Sequence, residues 1–410
     1  MNVETVNGIK VIRTKKFKTV KVQLRFFEPL SEKTVSQRAL MLAMMRAKTK
    51  DHPSRRALQN HLERLYDAQL STRASKFGKK HVAEVGLRFI HPDYVSEATG
   101  YLDKVTDTLR AILERPHFDE RTLDEEKRFL KAHFASEYAN KDVYASKRYQ
   151  EFLFRDHPYR VSALGRPEDV DSVTLDAITE AYRAMKANTV FITVVGDVDD
   201  ALLDAISDKL TPYVPQVPAD LLVRHELKAK ESVLETLNLS QDRLFMTLKS
   251  DVYYTDRDVY AMRVLDTMLG GGSDSLLFDS VREKHGLAYQ VHSSYQPMTG
   301  LIMVMAGVSH ANVEKTKTLI RKTRDSIGEG TFSDDALLIA KQYQKQAIKR
   351  SYDLQGALAA KALVHSVFGT PIDKDTVLSE IDKVTRDDII RLAKSLEFVF
   401  TYVLGGKTDA

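Results

Sequence analysis

The stretch Leu269 to Val291, LGGGSDSLLFDSVREKHGLAYQV, predicts a tight turn, a short amphipathic helix and a strand in immediate succession. Gly270 to Gly272 end one element, and Ser273 can cap the next helix by accepting hydrogen bonds from its first backbone N–H groups. Apolar side chains at spacings of four and five predict the buried side of this helix, and Gly286 is a natural residue to end it. A strand over Leu287 to Val291 follows.

Two side chains of this stretch form a candidate site, because Arg282 falls in the last helical turn and Tyr289 on the strand beside it. A structural interpretation is available for each. Arg282 can complement the negative end of the helix dipole, and Tyr289 can belong to the core, since Leu287 and Val291 share its face of the strand. A phosphate-binding loop is disfavoured because no Gly-Lys-Ser/Thr follows the glycines. The pattern alone leaves the structural and functional roles equally open.

A resemblance favours the functional role. The stretch resembles LGGGxxSxLxxxVREKxGLAYxV, a long motif of the C-terminal half of pitrilysin-like proteins, the family of insulinase and the mitochondrial processing peptidases. The resemblance implies that Arg282 and Tyr289 grip the backbone of a peptide substrate, with Gly270, Gly271 and Gly272 in the same binding site. It covers nearly the whole chain, since Asn188 to Asp199 (NTVFITVVGDVD) matches the end of the family's first domain.

Composition limits the other possibilities. The 410 residues suggest two domains, and 43% hydrophobic with 29% charged residues indicates a soluble globular protein. A net charge of +4 without a dense basic run argues against nucleic-acid binding. The absence of cysteine excludes disulfides and thiolate metal sites. No signal peptide and no apolar run long enough to span a membrane are visible, so a cytoplasmic location is expected.

Two internal similarities indicate a duplicated fold. Val190 to Gly196 (VFITVVG) matches Val399 to Gly405 (VFTYVLG), and Val35 to Met45 matches Val259 to Leu269. We therefore expect an α+β protein of two homologous halves, each a mixed, mostly antiparallel sheet backed by helices, together forming a clamshell. Prolines mark the junction, which predicts domains at 1–210 and 233–410 joined by a linker at 211–232. A further long helix is predicted over Thr122 to Phe154.

The zinc ligands of the family are missing. In active members, His-x-x-Glu-His on the early helix places two imidazoles on one face with a glutamate as base, and a second glutamate on a later helix completes the site. The resemblance aligns these five positions with alkyl and thioether side chains, namely Ala39, Leu40, Met41, Leu42 and Ala43. It puts His133 at the position of the second glutamate, although the register also allows Glu120 or Glu137. We therefore expect no metal and no catalytic residue in this chain.

No other catalytic pattern replaces the missing one. The twelve histidines include no pair four residues apart, no Gly-x-Ser-x-Gly is present, and there is no cysteine nucleophile. A metal site assembled from distant histidines stays open as an alternative.

The resemblance implies a non-catalytic, substrate-binding subunit of a heterodimeric zinc peptidase that processes short or unfolded peptides. The expected partner is a homologous subunit that carries zinc, and the expected ligand is a peptide. Three alternatives remain: a structural scaffold like the core subunits of the cytochrome bc complex, a stand-alone peptide-binding module, and an autonomous peptidase with an unrecognised metal site.

Overall fold

The computed structural model describes residues 2–224 and 231–406. Strands and helices follow each other along this part of the chain. Its strands, in chain order, are β1 (Glu4–Val6), β2 (Ile9–Arg13), β3 (Thr19–Pro29), β4 (Gln69–Phe77), β5 (Lys80–Ile90), β6 (Thr189–Gly196), β7 (Glu231–Leu237), β8 (Asp242–Lys249), β9 (Ala288–Gln296), β10 (Leu301–Val308) and β11 (Glu397–Gly406).

The α-helices pack against the sheets that these strands form. In chain order they are α1 (Val35–Ala47), α2 (Arg55–Arg64), α3 (Tyr101–Glu114), α4 (Glu120–Ala139), α5 (Lys141–Leu153), α6 (Leu175–Ala187), α7 (Asp200–Lys209), α8 (Val259–Asp266), α9 (Val313–Glu329), α10 (Asp334–Ser351), α11 (Gln355–Phe368), α12 (Lys374–Lys383) and α13 (Arg386–Ser395). Among residues 2–224 and 231–406, no helix is both long enough and apolar enough to cross a membrane.

The two sheets repeat one topology. The first has the strand order β1-β2-β6-β3-β5-β4, and the second has the order β7-β11-β8-β10-β9. In each sheet one pair is parallel, β2 with β6 and β7 with β11, while the strands that follow are antiparallel. The matched segments VFITVVG and VFTYVLG occupy the equivalent strands β6 and β11. The predicted fold class, two repeated mixed sheets backed by helices, is confirmed.

Helix α1 is buried on nearly every side, as its apolar sequence predicts. It packs against β4 and β5 on one side and against α4 and α6 on another. Leu40, Met41 and Met44 are each at most 1% exposed and join the core of the first sheet. Because α1 occupies this position, its side chains fix the spacing between the sheet and the outer helices.

Contacts divide the chain into two compact units that exchange two helices. The first unit contains 2–139, 161–221 and 351–372, and the second contains 140–160, 222–224, 231–350 and 373–406. Helix α5 therefore belongs with the second sheet and α11 with the first, which differs from the predicted domains 1–210 and 233–410. Residues 225–230 of the predicted linker 211–232 lie outside the described residues, so its role as a linker stays a prediction.

The exchange of α5 has a local cause. The predicted helix Thr122 to Phe154 is wrong as a single element, because Asn140 interrupts it and caps α5 by accepting hydrogen bonds from the backbone N–H groups of Asp142 and Val143. Redirected in this way, α5 packs its aromatic face on β8 and β11. The Tyr149 ring stacks on Phe245 with 4.8 Å between ring centroids.

The Tyr149 hydroxyl supplies a test of this packing, because it lies 2.7 Å from Oγ1 of the fully buried Thr247. We expect Tyr149→Phe to lower the free energy of unfolding by about 1–2 kcal/mol, since the Thr247 hydroxyl loses its partner in a site that excludes water. Urea denaturation followed by circular dichroism measures the change. The matched control is Tyr343→Phe on α10, where the side chain is 40% exposed and little change is expected. Equal stability of the two variants would contradict the role given to the Tyr149 hydroxyl.

Candidate substrate-binding site

The glycine run ends the helical turn that directly follows α8. Beyond Asp266 the chain winds into a π-helical turn, Thr267–Gly271, before it becomes extended at Gly272. A Cβ at Gly270 would lie only 2.7 Å from the backbone nitrogen of Ser293, closer than any side chain tolerates. Gly270 therefore lets the end of α8 contact β9 directly.

The next helix begins two residues later than predicted. Ser273 does not cap it, because its hydroxyl hydrogen-bonds the Asp274 carboxylate instead. Ser275 starts the helix, accepting a hydrogen bond from the Phe278 backbone N–H at 3.4 Å. The chain then winds as a π-helix over Phe278–Glu283. This turn type is rare and recurs at functional sites, and it has no signature that the sequence reveals.

Gly286 ends this helix as the sequence predicts. It has a left-handed φ of +61°, and its N–H donates to the carbonyl of Arg282. The following residue, Leu287, donates its backbone N–H to the carbonyl of Val281. These two bonds fix the turn that leads directly into β9.

Arg282 and Tyr289 come together at this turn. The Arg282 guanidinium lies over the Tyr289 ring, 5.5 Å from its centroid, and 4.7 Å from the ring centroid of Phe278. An ion pair to Glu283 at 3.7 Å adds to this arrangement. The Arg282 side chain is 41% exposed and Tyr289 is 76% exposed. Both groups therefore present polar atoms to solvent beside an aromatic surface.

Tyr289 is not a core residue, and a β-bulge explains why. Along the β9–β10 pair, Gln290 lies opposite Gly307, whereas Ala288 lies opposite Val308. Tyr289 is the extra residue between them, so the alternation of faces is interrupted at this position. Leu287 and Val291 are buried while Tyr289 points outward. The expectation that the three residues share one face is wrong for this reason.

The strand that carries Tyr289 is at the edge of its sheet. β9 pairs with β10 on one side, and the sheet order ends there among the described strands. An edge strand presents backbone N–H and C=O groups that an extended peptide can pair with. The site thus combines a backbone template with a cationic and a phenolic donor.

An acidic residue that sequence analysis missed supports this geometry. Asp266, at the end of α8, has its carboxylate Oδ1 2.6 Å from the Ser293 hydroxyl of β9. Burial raises the pKa of Asp266 to about 6, although hydrogen bonds from Ser293 and from the Tyr295 backbone N–H act in the opposite direction. Only a contact between α8 and β9, distant in sequence, reveals this role, so no local pattern signals it.

The structure shows where the residues that the resemblance aligns with the zinc motif lie. Ala39 and Leu42 are buried and Ala43 is half-buried on α1, so these positions present alkyl groups. His133 lies on α4 with a side chain 51% exposed, and its Nε2 is 3.2 Å from a carboxylate oxygen of Glu137. Within residues 2–224 and 231–406, no group of three His, Asp or Glu side chains has the arrangement of a metal site. These residues do not fit the zinc of the active family members.

Comparisons with known proteins agree with this picture. Residues 172–343 match the family described as the peptidase M16 inactive domain. The chain is 28% identical over 408 residues to the "Probable inactive metalloprotease YmfF" of Bacillus subtilis (strain 168), covering 98% of this chain and 96% of that protein. It is 24% identical over 321 residues to the mitochondrial-processing peptidase subunit beta of Saccharomyces cerevisiae, covering 71% and 68%. A crystal structure of a conserved protein from Enterococcus faecalis V583 has a TM-score of 0.92 at 27% identity, covering 98% and 97% of the two chains.

The two repeated mixed sheets backed by helices form the fold of M16-like two-domain peptidases, and the α1 positions that the resemblance aligns with the zinc motif carry alkyl groups. The matches make the resemblance more specific: the chain is similar to pitrilysin-like proteins of the peptidase M16 family. Its relatives include a protein named as an inactive metalloprotease.

The α1 side chains lead to a prediction about metal content. Methyl and isobutyl groups offer no lone pair, so the purified chain is expected to hold far less than one zinc per molecule. Elemental analysis after incubation with zinc and dialysis against zinc-free buffer measures this ratio. Stoichiometric zinc that survives dialysis would favour the alternative of an autonomous peptidase.

The raised pKa of Asp266 predicts a specific pH dependence. Because the folded-state pKa of about 6 lies above the usual aspartate pKa of about 4, the folded chain binds this proton more tightly than the unfolded chain. The resulting stabilisation is complete below about pH 4 and is lost as the pH rises through 6, a change of roughly 3 kcal/mol. Asp266→Asn cannot ionise and should lose less stability than the wild type between pH 4.5 and 7.5. Parallel stability curves in urea titrations would show that Asp266 is not the group responsible.

Proposed function

We propose that this chain is the non-catalytic, substrate-binding subunit of a heterodimeric zinc peptidase that processes short or unfolded peptides in the cytoplasm. The observation that carries the proposal is the Arg282–Tyr289 pair, exposed beside the free edge of β9. The zinc would be held by a homologous partner subunit with the His-x-x-Glu-His motif.

The Arg282–Tyr289 pair is better suited to bind the backbone of a peptide than to bind one particular side chain of that peptide. Arg282 carries several N–H donors in a rigid plane, and Tyr289 adds a hydroxyl with no hydrogen-bond partner among the described residues. Peptide carbonyls accept such hydrogen bonds whatever the sequence of the substrate. Pairing along β9 would require an extended chain, which favours short or unfolded substrates over folded proteins.

Catalysis must then come from the partner. Peptide hydrolysis by this family's chemistry needs a metal-activated water and a general base near the scissile carbonyl. The corresponding positions here, Ala39, Leu42 and Ala43, can neither bind an ion nor accept a proton. What this chain can contribute is orientation, because holding a substrate in reactive geometry removes much of the entropic barrier.

A purely structural scaffold explains the site less well. A scaffold gains little from a tyrosine that is 76% exposed and stacked under an arginine at a sheet edge. Large exposed aromatic groups of this kind are enriched where proteins bind peptides and other proteins. We therefore favour substrate binding over the scaffold.

The test uses the chain mixed with its zinc-bearing homologue and a fluorogenic peptide. Arg282→Ala is expected to lower kcat/KM of the mixture about 10–100-fold, since a charge-assisted hydrogen bond to the substrate contributes roughly 1.5–3 kcal/mol. The matched control is Arg321→Ala on α9, whose guanidinium also lies over an aromatic ring, that of Phe398, outside the proposed site. The control should retain the activity of the wild-type mixture.

Size-exclusion chromatography of the same mixtures separates binding from assembly. Both variants should form the heterodimer as the wild type does. If Arg282→Ala instead abolishes assembly, Arg282 is a structural residue. If peptide hydrolysis by the zinc-bearing homologue is unaffected by adding this chain, the proposed function fails.

A further inference from the structure

The first sheet has a polar face that the Arg282–Tyr289 site does not involve. Along β3, every second residue from Val20 to Phe26 enters the core, so the intervening Lys21 and Arg25 lie on the opposite face. On that face, β3, β4, β5 and α11 line two adjoining cavities of about 440 and 340 Å³. Both cavities include Lys21, which therefore lies where they meet.

The lining of the two cavities is strongly basic. Five cationic side chains face two carboxylates, which leaves a net charge of +3 in a confined space. The cations are Lys21, Arg25, Arg73, Lys76 and Arg88, and the carboxylates are Glu84 and Asp353. Asp353 also forms an ion pair with Lys16, which lies outside this lining. Asp353 therefore neutralises little of the positive charge of the cavity.

The other carboxylate is already fully engaged. One oxygen of Glu84 accepts a hydrogen bond from Gln23 at 2.6 Å and lies 3.6 Å from the Arg25 guanidinium. The second oxygen accepts a hydrogen bond from Ser75 at 2.7 Å and pairs with Arg73 at 3.3 Å. Glu84 thus fixes the positions of Arg25 and Arg73, and each of its two oxygens already has two partners.

Lys21 is the cation left without a partner. Its side chain is half-buried, and among the described residues no acceptor lies within hydrogen-bonding distance of its ammonium. Burial lowers the pKa of Lys21 and repulsion from Arg25 lowers it further, although attraction to Glu84 acts in the opposite direction. A half-buried, unpaired ammonium among arginines is stabilised by any anion that enters the cavity.

The adjoining strand indicates what kind of anion can reach this place. β4 lines both cavities and is the edge strand of the first sheet. An extended peptide beside such an edge directs alternate side chains to one face of the sheet. At this edge that face carries Ser71 and Arg73, next to Lys21.

We propose that these cavities bind a carboxylate of a peptide and give the chain a preference for acidic peptides. The carboxylate can belong to an aspartate or glutamate side chain or to the C-terminus of the peptide. The proposal rests on the proposed function only in taking a peptide as the ligand. Zinc, the partner subunit and the Arg282–Tyr289 pair are not needed for it.

The test measures peptide binding to the full chain alone, by fluorescence anisotropy at low ionic strength. One labelled peptide contains alternate glutamates, a second has glutamine at those positions, and both are amidated at the C-terminus. The glutamate peptide is expected to bind about tenfold more tightly, and Lys21→Gln should remove most of that difference while Lys21→Arg retains it. The control Lys104→Gln removes the same charge from an exposed position on α3 and should change nothing.

A third peptide, with glutamine side chains and a free C-terminus, distinguishes the two carboxylate sources. Tighter binding of this peptide than of its amidated form identifies the terminal carboxylate as the ligand, and it supports the proposal equally. If all peptides bind alike and Lys21→Gln has no effect, the carboxylate site is refuted while peptide binding stands. If no peptide binds at all, both this proposal and the proposed function fail.

Discussion

The close contact between the end of α8 and β9 is the constraint on which the candidate site depends. A side chain at Gly270 would overlap the Ser293 backbone, so the glycine allows the helix to reach the strand. The same contact brings Asp266 to the Ser293 hydroxyl. With β9 held at this point, the π-helix and the bulge can place Arg282 over Tyr289. The exposed pair is therefore the outcome of a buried backbone contact.

Much of the fold is predictable because its signals are local. The repeated strand segments mark β6 and β11, and the apolar sequence of α1 predicts its burial. Gly286 ends its helix as expected. In each case the decisive pattern lies within about a dozen neighbouring residues. The fold class followed from such patterns together with the resemblance to a family.

The features that the sequence did not reveal depend on long-range pairing. The bulge at Tyr289 is a property of the β9–β10 register, and the partner of Asp266 lies on another element. Ser275, and not Ser273, begins the next helix, and the π-helical turn before it ends at Gly271. The assignment of α5 to the second unit depends on the aromatic partners of Tyr149. The pattern of a single sequence does not show which residues far apart in the chain come into contact.

The exchange of α5 and α11 has a consequence for how such a protein can evolve. A gene cut within 211–232 would encode one product lacking the helix that covers β6 and another lacking the helix that covers β8. Each fragment would expose to water sheet side chains that are buried in the complete chain, which favours aggregation. Although the two sheets repeat one topology, a cut in this segment therefore cannot give two complete units. Each half of the sequence supplies one helix to the unit that is built around the sheet of the other half.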